Sequence, residues 1–253
     1  CYGEGSTIMW NDIKQLLVSS RPISWVNTAY PFVAGYIVVT HGIDALVVVG
    51  GIYFLIPYNL MMYGINDVFD YESDLRNPRK GGIEGALLSK RLHRLTIWSS
   101  IIVSAPFLVY LFAHGTLAAN IILCYLVFMV LAYSVPKLRF KERPFIDSFT
   151  SATHFAGPLL YALVLVGWQT SYWPYVLAFF AWGMASHAFG AVQDIIADRQ
   201  AGIGSIATVL GAKRTVRIAF WMYIAAGAII LVTGTTAAII CAALAMAYAV
   251  NVG

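Results

Sequence analysis

Charge is scarce in this chain. Only 11% of its 253 residues are charged and 60% are hydrophobic, against about 25% and about 45–50% for an ordinary soluble domain. So few polar residues cannot coat a water-facing surface, which excludes a disordered chain and most soluble folds. Cysteine is scarce too. Cys1, Cys124 and Cys241 lie far apart, two of them in apolar runs, and show neither a disulfide framework nor a metal-ligand spacing. Residues 1–20 lack an apolar core leading to a small-residue cleavage site and do not read as a signal peptide. Runs such as Ile97 to Leu111 do not alternate, which excludes the strands of a membrane β-barrel.

What is present is hydrophobic length. A membrane-spanning helix needs about 20 mainly apolar residues, and eight stretches are candidates: 23–40, 45–65, 95–113, 117–135, 145–167, 173–192, 214–232 and 236–252. The expected fold is all-α: one polytopic membrane bundle of eight transmembrane helices over residues 1–253, with no room for a sizeable soluble domain. The 16 basic residues fall in four places: Lys14 and Arg21, Arg76 to Arg94, Lys137 to Arg143, and Arg199 to Arg217. These are the N-terminus and the connections after the second, fourth and sixth spans. The opposite connections carry no Lys or Arg. The positive-inside rule puts the basic set, and the N-terminus, in the cytoplasm of a multi-pass cell-membrane protein.

Half of the 12 acidic residues sit in two short motifs. The second span leads into Asn66-Asp67-Val68-Phe69-Asp70-Tyr71-Glu72-Ser73-Asp74, and the sixth into Gln193-Asp194-Ile195-Ile196-Ala197-Asp198. The offset of four helices suggests an internal repeat. Asp67, Asp70 and Asp74 fall on one helical face by spacing, as do Asp194 and Asp198. Carboxylates at membrane depth cost about 2.5–3.5 kcal/mol each, so a stable cluster calls for countercations. Hard divalent ions suit carboxylate oxygens, and Mg²⁺ commonly combines one or two carboxylates with substrate phosphates. The plainer account is solvated helix ends paired with nearby Arg and Lys; two such motifs on one membrane face argue against it. The cations fit a diphosphate clamp: Arg76, Arg79 and Lys80 follow the first motif, Arg199, Lys213 and Arg214 the second. Pro136 breaks the fourth helix and aims Lys137 and Arg139 inward or along the surface.

The first motif, with Asp194-x-x-x-Asp198 four helices later, resembles the UbiA superfamily of intramembrane prenyltransferases. Arg21-Pro22 and Tyr133-Ser134-x-Pro136-Lys137-Leu138 support the resemblance, which spans essentially the whole chain. More narrowly, Ser19-Ser20-Arg21-Pro22-Ile23-Ser24-Trp25, Ile56-Pro57-Tyr58-Asn59, Arg76-Asn77-Pro78-Arg79-Lys80 and Lys141-Glu142-Arg143-Pro144 look like the lycopene elongase branch of bacterial carotenoid synthesis. The resemblance implies Mg²⁺-dependent transfer of dimethylallyl from its diphosphate to an acyclic carotenoid such as lycopene, with Mn²⁺ as a substitute ion. It implies a catalytic set of Asn66, Asp67, Asp70, Asp74, Asp194 and Asp198, the five acids also binding metal. The implied substrate-binding set is Arg21, Arg76, Lys80, Tyr133, Lys137, Arg139, His154 and Arg199. The implied partners are a prenyl diphosphate, a lipophilic carotenoid, the bilayer and other enzymes of the same route, with no nucleic acid. Two departures stand out. The family usually has nine helices, so the ninth is expected after Gly253. A further acid often stands where this chain has Gly202.

The chemistry follows from these parts. Metal and cations stabilise charge on the leaving oxygen; apolar walls keep water from the allylic cation. Aromatic faces stabilise it, with Phe69, Tyr58, Tyr63, Tyr133 and Phe155 as candidates. The final base stays open. His154 and His187 lie inside spans, where an ionisable group is costly, and either catalysis or hydrogen-bonded packing accounts for them. Two competing classes are an ion-coupled transporter, which also places acids in a membrane, and a prenyltransferase for an aromatic quinone precursor or another lipid acceptor. Against the transporter, no acid lies near the middle of a span.

Overall fold

The computed structural model describes residues 2–75 and 87–252. Among them the chain forms helices and turns and no strand. In order these are α1 (Tyr2–Ser19), α2 (Trp25–Thr40), α3 (Ala45–Leu55), the single turn α4 (Pro57–Asn59), α5 (Ile65–Phe69), α6 (Tyr71–Asp74), α7 (His93–His114), α8 (Leu117–Ser134), α9 (Ile146–Leu165), α10 (Trp173–Ala191), α11 (Ile195–Ala201), α12 (Ile206–Leu210), α13 (Ala212–Leu231) and α14 (Thr236–Val252).

All eight apolar stretches are helical. Five helical segments are long and apolar enough to cross a bilayer: Ala45–Phe69, Lys90–His114, Leu117–Ser134, Thr170–Gln200 and Ala212–Leu231. The other three fall short for physical reasons. At 16 and 17 residues, α2 and α14 are short. The third, α9, buries Asp147, Ser148, Thr150, Thr153 and His154 along its length. Helix α1 was not foreseen as an element. Trp10, Ile13 and Leu17 are exposed along it at helical spacing, while Asp12 pairs with Arg91 and Gln15 accepts from the Ser89 amide at 3.4 Å.

Helix α9 is the hub. It packs on α2, α8 and α10; α10 in turn packs on α13, and α13 on α14. One core gathers Phe32, Tyr36, Tyr53, Phe54, Tyr58, Leu126 and Tyr161 between α2, α3, α8 and α9. A second, between α10, α13 and α14, is built on Ala185, Ala188, Ala219, Tyr223 and Ala249. Small residues on both sides let helices approach closely where lipid supplies no hydrophobic drive. The outer surface is apolar: Val38, Ile52, Ile102, Val109, Ile121, Trp221, Ile239 and Leu244 are all exposed.

Two helix irregularities place the acidic motifs. Pro57 interrupts the α3 ladder, and Asn59, fully buried, donates to the carbonyls of Phe54 at 2.8 Å and Leu55 at 3.0 Å, restoring partners that the break removes. A single π turn, Leu60–Gly64, follows and feeds α5. Such turns cluster at functional sites because they shift the phase of every later side chain. In the second half a 3₁₀ turn, Val192–Asp194, separates α10 from α11.

Candidate active site

Both motifs open onto one cavity of about 340 Å³. It is lined by Asn66, Asp70 and Asp74 from the first and Asp194 and Asp198 from the second, with Arg21 and Lys141 as its cations. Tyr133 and His154 line it too. The remaining expected residues lie elsewhere. Arg139 stands behind the wall, 3.5 Å from Asp70 and paired with Glu142. Lys137 and Arg199 are exposed and line no part of the cavity; Arg199 donates to the Thr208 carbonyl at 3.3 Å. Arg76 and Lys80 fall outside the described residues.

Asp67 departs from the single face that its spacing suggests. The helix breaks at Asp70, whose φ of −100° and ψ of 1° end α5. Asp70 and Asp74 line the cavity, whereas Asp67 is almost fully buried and accepts from Ser19 Oγ at 2.9 Å and Arg21 at 3.4 Å. It therefore holds Arg21 in place. The Arg21 guanidinium also lies over the Tyr63 ring, 4.3 Å from its centroid. Its Nε is buried and has no hydrogen-bond partner among the described residues, a donor that an anion in the cavity could satisfy.

Of the five described residues other than glycine with left-handed backbone, three are cations of the basic segments, the others being His41 and Phe145. Arg21, Lys137 and Arg139 adopt φ values of 51°, 77° and 39°, a region that costs side-chain-bearing residues energy and persists where packing enforces it. Gly202 is the reverse case. It ends α11 at φ 70°, so an acid at that position would be strained, which accounts for the departure from the family pattern.

Three contributors were not among the expected site residues. Lys141 reaches Asp70 as a direct ion pair, with only 11% of its side chain exposed. Its place in the basic segment 137–143 was visible, but not that it, rather than Lys137, turns inward. Ser205 donates to Asp198 Oδ2 at 3.1 Å while capping α12. Ser151 lines the wall from α9. Asp147 ties the floor together: its carboxylate accepts from the amides of Ser148 and Ile206, both at 2.7 Å. Of the aromatic candidates, Tyr63, Tyr133 and Phe155 line the cavity. Tyr58 is sealed in the first core, and Phe69 packs against it.

Among the described residues no three His, Cys, Asp or Glu side chains gather as a ready-made metal site. The donors present are carboxylate oxygens on two sides of one cavity, which suits Mg²⁺ that takes one or two carboxylates and completes its shell with phosphate oxygens. An ion arriving with a diphosphate fits these residues.

A second cavity, about 860 Å³ and mainly apolar, lies between α2, α9, α10, α13 and α14. Leu159, Phe179, Trp182, Ile230 and Leu244 are among its walls. It meets the acidic cavity at Ser151, Phe155 and His187, which line both.

The sequence and fold are not isolated. The chain is 53% identical over 224 residues to a lycopene elongase/hydratase of Corynebacterium glutamicum, covering 88% of this chain and 78% of that protein. It is 51% identical over 221 residues to a C(50) beta-cyclic carotenoids biosynthesis protein of Dietzia sp., covering 87% of this chain and 51% of the other. A UbiA homologue from Archaeoglobus fulgidus, solved with DMAPP and Mg²⁺, superposes with a TM-score of 0.74 at 18% identity, over 94% of this chain and 85% of that one. The UbiA prenyltransferase family model matches residues 28–252, and the chain belongs to that family.

Proposed function

We propose that this prenyltransferase moves a dimethylallyl group from its diphosphate to an acyclic carotenoid such as lycopene, in a Mg²⁺-dependent reaction. In this reading it is a cell-membrane protein with eight spans and a cytoplasmic N-terminus. One observation carries the proposal: an acid- and cation-lined cavity shares three wall residues, Ser151, Phe155 and His187, with a larger apolar one. The first suits a diphosphate, and the second suits a long hydrocarbon without a charged handle. Close relatives named lycopene elongase/hydratase support the choice of acceptor.

Asp70, Asp74, Asp194 and Asp198 would hold the metal, which when bound neutralises the diphosphate and the charge developing on its leaving oxygen. Lys141 and Arg21 supply the fixed positive charge, Arg21 being aimed by Asp67. Asn66, whose Oδ1 accepts from Ser134 Oγ at 3.0 Å, is held in one orientation at the wall. Tyr63, Tyr133 and Phe155 line the same cavity and would stabilise the allylic cation through their aromatic rings. Phe155 also borders the apolar cavity, so cation and acceptor meet beside it.

The acceptor enters from the bilayer. Val26 and Tyr30 on α2, and Leu244 and Tyr248 on α14, line the apolar cavity yet are 57%, 68%, 57% and 48% exposed. They frame a side mouth at lipid level. The test is expression in lycopene-producing cells with pigments identified by mass. Longer carotenoids are the expected result. Prenylation of a water-soluble aromatic acid with lycopene untouched would move the acceptor to the quinone class.

A further inference from the structure

Helix α1 is amphipathic in the opposite sense to a water-facing helix. At about 100° per residue, Asp12, Gln15 and Ser19 fall within about 60° of one another on one side, and Trp10, Ile13 and Leu17 within about 60° on the other. The polar side meets the rest of the chain. Arg91 donates to both carboxylate oxygens of Asp12, and Gln15 accepts from the Ser89 amide. Ser19, fully buried, donates to Asp67 Oδ2 at 2.9 Å. The apolar side faces away from the chain: Trp10 is 67% exposed, and Ile13 and Leu17 are exposed too. A soluble surface helix does the reverse, turning its apolar stripe to the core. Nor does α1 cross the bilayer. Asp12 and Lys14 stand within it, and it is not among the helices long and apolar enough to span. The exposed apolar surface continues on both of its neighbours. It resumes at Ile23, Val26 and Tyr30 on the segment after α1, and at Leu95 and Trp98 on α7, just beyond the Arg91 that ties α1 down.

We infer that α1 is an interfacial anchor: its Trp10, Ile13 and Leu17 stripe lies in the headgroup–acyl boundary of the bilayer, and this seating holds the cation that receives the diphosphate. The second half rests on the prenyl transfer proposed above. An amphipathic helix in this plane sinks its apolar face about 5–10 Å below the headgroups, and an indole is the side chain most at home there. Exposed Lys14 borders the stripe and lays its stem along the apolar surface with its ammonium among lipid phosphates. The link to the site is short. Ser19 ends α1 and donates to Asp67, and the same carboxylate accepts from Arg21 at 3.4 Å. Arg21 lines the acidic cavity. A helix lifted from the lipid carries Ser19 with it and loosens the carboxylate that aims Arg21. Lipid seating is thus a positioning device for the donor site, two residues from its cation.

The test uses the full chain in nanodiscs of phosphatidylcholine and phosphatidylglycerol, with Cys1, Cys124 and Cys241 replaced by Ser. A spin label is placed at Ile13→Cys or, on the polar flank, at Asn11→Cys, which is exposed. Relaxation by oxygen, which concentrates in lipid, is compared with relaxation by a water-soluble nickel chelate. The label at 13 should respond to oxygen and little to nickel, and the label at 11 the other way round. Equal nickel access at both positions overturns the inference, because the stripe then faces water. Low access of both reagents to position 13 also overturns it, because a protein surface then covers the stripe. Titration of inorganic diphosphate with Mg²⁺ reads the coupling. Ile13→Glu should raise Kd by at least about threefold, part of the roughly tenfold or more carried by one hydrogen bond to a charged group. Ser19→Ala should raise it similarly while leaving the depth of a label at 13 unchanged. If Ile13→Glu does not assemble, the double variant Trp10→Ala with Leu17→Ala takes its place. A wild-type Kd in the assembled stripe variant, with its label at 11 showing the helix displaced, overturns the coupling. A wild-type protein that binds no diphosphate is a different result: it removes the donor site and leaves the depth readings to stand by themselves.

Discussion

Lys141→Met removes the inward-facing cation while keeping the side chain's length. Lys141 is 11% exposed and its partner Asp70 8%, so both charges are largely out of water. Removing one partner of a buried pair costs about 3–5 kcal/mol, because the other charge is stranded. Here the Arg139 guanidinium stays 3.5 Å from Asp70 and offsets part of that loss, which puts the expected destabilisation near the low end, about 3 kcal/mol. Donor binding should weaken separately. A hydrogen bond to a charged group is worth about 1.5–3 kcal/mol, or roughly 10- to 150-fold in Kd. The assay is calorimetric titration of dimethylallyl diphosphate with Mg²⁺ into wild type, Lys141→Met and Lys141→Arg, with thermal unfolding of each. Lys141→Arg should recover most of the affinity. In the double variant with Asp70→Asn, the stability losses should be smaller than their sum, since the charges are coupled. A folded Lys141→Met protein whose donor Kd stays within about threefold of wild type would refute the reasoning, because a cation facing the diphosphate cannot be removed at so little cost.

Chelation should abolish turnover, with Mg²⁺ restoring it and Mn²⁺ substituting; undiminished product in excess chelator contradicts the carboxylate–metal reading. Asp198→Asn should lower turnover by at least about a hundredfold, the scale of losing one preorganised charge at a developing negative centre, with membrane insertion intact as a fractionation check. Ala226→Phe fills the apolar cavity at a wall position that is 3% exposed; lycopene use should vanish while donor Kd holds, and equal loss of both would show that the cavities are not separate subsites. Gly50→Leu should destabilise by about 1–3 kcal/mol, as overpacking does, because a Cβ there would sit 2.3 Å from the Phe32 ring. Asp44 caps α3 and accepts from Tyr36 at 2.6 Å and the Val47 amide at 3.0 Å. The Tyr36 bond, then the amide, hold its carboxyl below the ordinary value. Its stabilisation is present above the usual carboxylate pKa and lost as pH falls through the depressed one, so Asp44→Asn should flatten the acid limb of a pH–stability curve.

Composition and spacing carried the helices and the two acidic motifs. Each of the eight apolar stretches is helical, because no polar alternation competes with the backbone's need for internal hydrogen bonds in lipid. Helix α1 escaped because its apolar stripe of Trp10, Ile13 and Leu17 is interleaved with Asp12 and Lys14 and never forms a run. The motif residues were legible as a set but not in their aims. A uniform α-helix puts Asp67, Asp70 and Asp74 on one face, and spacing contains nothing of the π turn at Leu60–Gly64 or the break at Asp70. Lys141 was hidden for a similar reason. Four cations stand within residues 137–143, and which one turns inward depends on the left-handed backbone at Lys137 and Arg139, a tertiary constraint with no mark in the residue types.

The two halves solve one placement problem with opposite distortions. Before the first motif the helix loosens into a π turn; at the second it tightens into a 3₁₀ turn. Either change shifts side chains around the helix axis relative to an unbroken α-helix, so carboxylates from two separate helices line one cavity. The cost of gathering them is met unequally. Asp70 has Lys141 and Arg139 beside it, Asp198 has the Ser205 hydroxyl, and Asp67 spends its charge on Arg21. Among the described residues, three of the five strained φ values outside glycine fall on Arg21 and Arg139, the cations that reach these carboxylates, and on neighbouring Lys137; the other two are His41 and Phe145. Buried charge and helix defects thus collect at one end of the bundle, while the apolar cavity beside it is walled by helices α2, α9, α10, α13 and α14. Where the regular part of the fold meets the irregular part, Ser151, Phe155 and His187 line both cavities.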